Sequence, residues 1–490
     1  MFRPRSAELF KLFFILICLL FLLIFVMNSN CKVSYIIHNF SDLCNLLALR
    51  VPNNANKRTT QSTKANIKQA LLAYNTSLPK SVRYLSASSE LIENLMFRAI
   101  QNWCCISFKI VPIEIELLKH DTPKTILYCV AAITITSINP KNQSRQVEGK
   151  HNTDEGFKKD VAYHFYQRAR HYLKEVIFED DISVTAIQCY FCLCYTANLL
   201  RLPLERRAWQ HLACETLKSK VAYVQDSKPI RQCWYRWYYI DAWLAISLGQ
   251  DCLLPDQLPF RIEHQRQHRA SHAYHGCMMS NDTLYDFAVM GQHIRRYTHA
   301  IRQGTLFYMY DALTTDMIAW WSNVNDQNLQ LANCYYSLRL VLLFHLLHQD
   351  QYKVTFDLLL DGLDNALHLL QGLQDLKLRG CDQSTYHHMF FAIHSTLKKI
   401  LVHIRGNPGF HCLEAFAKKQ FEMNLCILEG TNAFVDDIYQ MRSIGATIEA
   451  EMCELGFIDH DIKGRKSQHV FRAEIMAKSA KKPKKSHTMH

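Results

Sequence analysis

The strongest constraint on the fold is a series of helix-period segments between residues 157 and 250. In the first, "KKDVAYHFYQRARHYLKEV", apolar residues recur at spacings of three and four, namely Ala162, Phe165, Ala169, Tyr172 and Leu173. This spacing places them along one side of an α-helix. The sequence therefore predicts an all-α fold, with antiparallel helix pairs packed around an aromatic core.

Capping residues mark the next helices. Ser183 follows a run of acids and precedes "VTAIQCYFCLCYTANLL", which is typical of a helix N-terminus. Pro203 and Pro229 fall at the starts of the third and fourth segments, where proline is tolerated. Gly249 closes the fourth segment. Because the second segment is apolar on nearly all sides, we expect it to lie at the centre of the core.

The fourth segment, "SKPIRQCWYRWYYIDAWLAISLGQ", concentrates aromatic residues around a single acid. One face of the predicted helix carries Trp234, Tyr238, Asp241 and Ala245. Aromatic residues at helical spacing are typical of a core, and a buried carboxylate needs a partner. Arg231, Arg236 or an exposed helix N-terminus are the predicted partners. A general acid would need a second titrating group nearby, and none stands out.

Composition favours helices and argues against common enzymes. The chain has 490 residues, and only 15 of them are glycine, which tight α/β turns and phosphate-binding loops require. No phosphate loop, Gly-x-Ser-x-Gly or His-Glu-x-x-His motif occurs. We therefore predict a protein without catalytic residues or cofactors. The net charge of +12 permits an acidic partner without requiring one.

Two groups of residues have metal-binding spacing. Cys189 and Cys192 form a Cys-x-x-Cys pair, but no second pair exists to complete a zinc site, so buried free thiols are favoured. On a helix, His264, His268 and His272 would share a face. Their segment is rich in Arg and Gln, which favours a solvated loop or polar helix. The sequence therefore predicts no metal ligands.

The two ends of the chain indicate different cellular locations. Residues 1–30 include the apolar run Leu9 to Met27, whose length and basic flank fit either a membrane anchor or a core helix. Residues 31–65 are predicted as a linker, 66–460 as the helical domain and 461–490 as a basic disordered tail. The tail contains a nuclear-import candidate made of Lys481, Lys482, Lys484 and Lys485.

Several motifs in order resemble the fungal-specific transcription factor regulatory domain, the middle homology region of binuclear zinc-cluster proteins. "AYHFYQRAR" resembles its first helix, Val184 to Leu200 its second, and Ala208 with Trp209 its third. The fourth is matched by Trp234, Tyr235, Tyr238, Asp241 and Gly249. Later segments "MIAWWSNVN" and "YYSLRLVLLFHLLHQ" extend the likeness, which spans about residues 90–350.

The resemblance implies a nuclear, non-catalytic module that controls transcription, in which Trp209, Trp234, Tyr238, Asp241 and Gly249 organise the structure. Its implied partners are the transcription machinery or other regulators, with a small-molecule effector and a homodimer as further options. The zinc cluster that reads DNA in the family is not recognisable here, and Gln250 and Asp251 replace its Arg-Pro. The alternative is a membrane-anchored helical protein that binds partners.

Overall fold

The prediction of an all-α fold is confirmed by a computed structural model. It describes residues 35–37, 70–72, 89–103, 106, 113, 118, 122–137, 157–177, 183–223, 227–260, 281–324, 328–349, 352–378, 387–431 and 441–458. A short antiparallel strand pair, β1 (Tyr35–Ile37) and β2 (Ala70–Leu72), places Tyr35 opposite Leu72. Packed helices make up most of the remaining described residues.

The helices up to the aromatic segment are α1 (Ser89–Gln101), α2 (Lys124–Ser137), α3 (Phe157–Tyr172), the short α4 (Lys174–Ile177), α5 (Val184–Leu199), α6 (Pro203–Tyr223) and α7 (Lys228–Leu248). They include the four that were predicted, α3, α5, α6 and α7. A short turn joins α5 to α6, so the two helices pack antiparallel to one another.

The second half of the chain continues the helical packing. Its helices are α8 (Asn281–Gln303), α9 (Leu306–Trp321), α10 (Leu329–Leu346), α11 (Phe356–Leu378), α12 (His387–Gly406), a 3₁₀ helix (Pro408–Leu413), α13 (Glu414–Glu429) and α14 (Met441–Glu454). The break between α12 and the 3₁₀ helix falls at "RGNPG", because a proline cannot continue a helix.

The predicted caps lie at the helix ends. The Ser183 side chain accepts a hydrogen bond from the Ala186 amide, at 3.2 Å, and so satisfies one amide of the first turn of α5. Pro229 lies in the first turn of α7. Gly249 ends α7 with φ +61°, a left-handed conformation that glycine adopts without a steric penalty.

The apolar run "TILYCVAAITITS" forms helix α2 together with Lys124. Residues on all sides of this helix are buried, so it lacks the one-sided pattern of a surface helix. Its threonine hydroxyls are satisfied by backbone carbonyls: Thr134 donates to Val130 at 2.7 Å and Thr136 to Ala132 at 3.0 Å within the helix, while Thr125 donates to Ala169 of α3 at 3.2 Å. A uniformly apolar sequence is therefore compatible with a central helix.

Helix α7 packs against α5 and α8 through aromatic side chains and a glycine. The rings of Phe191 and Trp237 stack with centroids 3.8 Å apart. Gly291 of α8 faces α7 so closely that an added Cβ would lie 3.1 Å from the Cα of Tyr239. The aromatic face of α7 is buried, as predicted.

Near the C-terminal end, α14 is tied to α12 by one carboxylate. Glu451 accepts hydrogen bonds from His394 at 2.8 Å and Lys398 at 2.9 Å. The hydrogen bond from His394 is the main cause that lowers the pKa of Glu451 to about 2. The side chain of Lys398 is 46% exposed, so this contact contributes less than a buried pair would.

A buried histidine lies between α8 and α9. His293 packs against Trp320, with ring centroids 5.5 Å apart. Burial, with a smaller effect of the neighbouring Arg296 charge, lowers the pKa of His293 from 6.5 to about 4. The folded state therefore disfavours protonation of this side chain relative to the unfolded chain.

Trp234→Ala should destabilise the protein by about 3–5 kcal/mol, because it removes a large buried ring from the core. Trp234 is 2% exposed and packs edge-to-face on Phe260. Tyr308→Ala, at a site that is 80% exposed, is the control and should leave stability nearly unchanged. Urea denaturation of both variants measures this, and equal stability of Trp234→Ala and wild type would contradict the packing.

His293 should make stability fall by about 1–2 kcal/mol between pH 7 and pH 5, because only the unfolded chain gains the proton in that range. The loss begins near the unfolded pKa and ends near the folded pKa of about 4. His293→Leu should flatten this part of the curve in denaturation experiments at several pH values. An unchanged slope in the variant would show that His293 is not the responsible group.

Candidate functional site

The most connected polar group in the first half of the fold is Asp241 of α7, which is 1% exposed. Its two carboxylate oxygens accept from the amides of Leu253 and Leu254, each at 3.0 Å. The Gln210 amide of α6 adds a long contact of 3.4 Å. The carboxylate therefore fastens the irregular segment after α7 to both helices.

Arg295 of α8 supplies the positive charge. Its Nη2 donates to Asp241 at 2.7 Å, while Nη1 donates to the Leu254 carbonyl at 2.7 Å and to Asp256 at 3.1 Å. Its guanidinium also lies over the Tyr238 ring, 4.0 Å from the centroid. Because both charged side chains are almost fully buried, each depends on the other to offset its desolvation.

Tyr238 completes this network by donating its hydroxyl to the Asp256 carbonyl. Burial raises the pKa of Tyr238 to about 12, so the hydroxyl keeps its proton at neutral pH. We call Gln210, Tyr238, Asp241 and Arg295 the carboxylate network. It joins α6, α7, α8 and the segment after α7.

The predicted partners of Asp241 were wrong. Arg231 lies ten residues before Asp241 on α7, about 15 Å along the helix. Arg236 projects from another side of α7, where it lies over the rings of Tyr239 and Phe287. The amides that bind the carboxylate belong to an irregular segment, and no helix N-terminus is involved in these contacts.

Other residues of the quoted motifs meet in a second cluster between α3 and α6. The Trp209 indole donates to the Tyr166 hydroxyl at 2.8 Å, and Tyr166 donates to Glu205. Burial and the hydrogen bond to Glu205 raise the pKa of Tyr166. Arg170 pairs with Glu205 at 3.2 Å, and the Trp209 ring stacks on Tyr190. We call this group the tyrosine cluster.

Trp234 and Gly249 act through packing and backbone geometry. The Trp234 indole nitrogen is buried without a hydrogen-bond partner among the described residues, so this side chain contributes by apolar contact. Gly249 lies at the end of α7, where the chain turns into the segment held by Asp241. Of the five predicted motif residues, Tyr238 and Asp241 therefore belong to the carboxylate network and Trp209 to the tyrosine cluster. Trp234 lies within α7 and Gly249 ends it.

A cleft of about 270 Å³ borders the carboxylate network. Residues of α6, α7 and the segment after α7 line it: Arg207, Gln210, His211, Asp241, Leu244, Ala245, Gln250, Asp251 and Leu253. The Asp241 oxygens at its inner end already accept from four donors. This arrangement suits binding and positioning better than proton transfer, since a general base needs a free acceptor position.

Arg295 and Gln210 were not predicted from the sequence. Arg295 lies in the polar-looking stretch "QHIRRYTHA", but it is four residues after Gly291 and seven after Ala288, on the side of α8 that faces the core. A helical wheel of α8 would have shown this arginine on the apolar stripe. Gln210 could have been found in the same way, because it lies three residues before the buried Ala213, on the same side of α6.

The structure describes one of the two groups of residues that have metal-binding spacing. Cys189 and Cys192 are buried in α5, as predicted. Among the described residues, no three His, Cys, Asp or Glu side chains form a group that could hold a metal ion. His264, His268 and His272 lie outside the described residues.

Both terminal signals also lie outside the described residues. These are the apolar run Leu9 to Met27 and the lysine cluster Lys481 to Lys485. Within the described part of the chain, every helix is too short or too polar to cross a membrane. The membrane anchor and the nuclear-import signal stay predictions.

No family model, curated protein or solved structure matches this chain. The resemblance to the fungal regulatory domain therefore rests on the quoted residues alone. What the structure adds is the position of those residues in the fold.

Arg295→Met should destabilise the protein by about 3–5 kcal/mol, because it leaves the buried Asp241 without a cation. Arg296→Met is a matched control at the neighbouring position. Arg296 pairs with Asp316 on the surface, and both side chains are about half exposed, so the loss of this pair should cost less than about 1 kcal/mol. Chemical denaturation compares the two variants. Equal losses of unfolding free energy would show that the buried Asp241–Arg295 pair stabilises the protein no more than the exposed pair does.

Proposed function

We propose that this chain is a non-catalytic regulatory module of a transcriptional regulator, similar to the fungal-specific regulatory domain. The supporting observation is that several residues carrying the resemblance lie in two contact networks that join helices, rather than around an open reaction site. Tyr166 and Trp209 link α3 to α6, while Tyr238 and Asp241 link α7 to α8 and the segment after α7. Such residues organise a scaffold.

A scaffold of this kind regulates by presenting surfaces to partners. Large apolar side chains are exposed on several helices, including Phe97, Leu204, Tyr308 and Phe416. The lysine-rich tail provides the route to the nucleus in this proposal. Direct reading of DNA is left to another protein or to a zinc cluster outside this sequence, since the chain has no recognisable cluster.

Replacing the lysines of the tail cluster with glutamine should abolish nuclear accumulation of the full chain, because a compact basic cluster is what import recognition requires. Fluorescence microscopy of a tagged chain measures this. The replaced residues are Lys481, Lys482, Lys484 and Lys485. A matched control removes the same number of positive charges upstream, at Lys463, Arg465, Lys466 and Lys478.

The control should stay nuclear, and the full chain fused to a heterologous DNA-binding domain should change expression of a reporter. Cytoplasmic wild-type protein without reporter activity would contradict the proposal. Sedimentation with membranes that is lost on deleting residues 1–30 would favour the membrane-anchored alternative, which the apolar run Leu9 to Met27 supports.

A further inference from the structure

The cleft beside the carboxylate network has an unbalanced charge on its α6 wall. Arg207 and His211, one helical turn apart, both line the cleft and are exposed. Among the described residues, the Arg207 guanidinium has no ion pair or hydrogen bond. This wall therefore presents donors that the rest of the described protein does not use.

A second cation of α6 is hydrogen-bonded to a residue of this wall. Arg206 is buried, 8% exposed, and donates to the side-chain oxygen Oε1 of Gln210 at 3.2 Å. No carboxylate pairs with it among the described residues. Burial, together with a smaller effect of the Arg207 charge, lowers the pKa of Arg206. A buried cation without a counter-ion is unfavourable, and a bound anion would offset this.

The two carboxylates that border the cleft do not cancel these charges. Asp241 is neutralised by Arg295 at 2.7 Å. Asp251 forms a salt bridge with Arg302 of α8. Their partners take up the negative charge, so the cleft keeps a positive wall formed by α6.

The wall formed by α7 and the following segment is partly apolar. Leu244 and Ala245 of α7 and Leu253 of the following segment line it. The volume of about 270 Å³ lies just below the range of about 300–1,000 Å³ that is usual for small-molecule sites. A ligand that fits both walls carries an anionic head group on a short apolar body.

We propose that this cleft binds a small organic anion, with its oxyanion group against Arg207 and Gln210 and its apolar body against Leu244 and Leu253. The Gln210 amide makes only a long contact with Asp241, at 3.4 Å, and so has capacity for a second acceptor. A ligand held there lies against the carboxylate network and stabilises the segment after α7. Its regulatory role rests on the proposed function, whereas the binding does not.

Titration of the purified full chain with hexanoate, hexanamide and inorganic phosphate tests the site by calorimetry. Hexanoate should bind and hexanamide should not, because only the first carries the charge that Arg207 recognises. Arg207→Gln should weaken hexanoate binding by about tenfold or more, as expected for loss of a charge-assisted contact. Arg207 is exposed, so this variant should fold normally.

Lys218→Gln is the matched control. It removes the same charge from nearly the same face of α6, eleven residues or about 16 Å farther along the helix. Its hexanoate affinity should equal that of the wild type. Phosphate binding that depends on Arg207 would also support the site and would indicate a phosphate head group.

Three results would overturn the proposal: no binding of either anion, equal binding of hexanoate and hexanamide, or Arg207→Gln binding as tightly as Lys218→Gln. Reporter activity of the same variants separates this proposal from the proposed function. Anion binding with an inactive, non-nuclear protein would leave the site standing and remove its regulatory meaning.

Discussion

The Asp241–Arg295 ion pair is the interaction on which the first half of the structure depends. A carboxylate at 1% exposure would be strongly unfavourable in an aromatic core without a cation and hydrogen-bond donors. Arg295 and the Leu253 and Leu254 amides supply both. Because these partners come from different elements, satisfying one charge fixes the relative positions of α7, α8 and the segment between residues 249 and 260.

The aromatic residues of α7 provide the environment that makes this ion pair effective. Trp234 and Trp237 exclude water from the faces of the helix, while Gly291 lets α8 approach closely. Tyr238 uses its ring to cover Arg295 and its hydroxyl to hold the Asp256 carbonyl. The concentration of aromatic residues around one acid is thus explained by structure. This agrees with a scaffold whose motif residues organise packing.

Much of the fold could be predicted from the sequence, because helix period and capping are local properties. Ser183, Pro229 and Gly249 mark helix ends through contacts within a few residues. The partners of Asp241 could not be predicted in the same way, because Arg295 lies 54 positions along the chain. The cleft likewise depends on how α6 meets α7, and residue spacing within one segment contains no information about that.

Hydrogen exchange of the Leu253 and Leu254 amides tests the central role of the carboxylate most directly. Both amides lie in an irregular segment, outside any helix, where exchange is normally fast. If Asp241 holds this segment as part of the core, both amides should exchange as slowly as the buried amides of α7. Exchange at the rate of an open loop in the native protein would contradict the account.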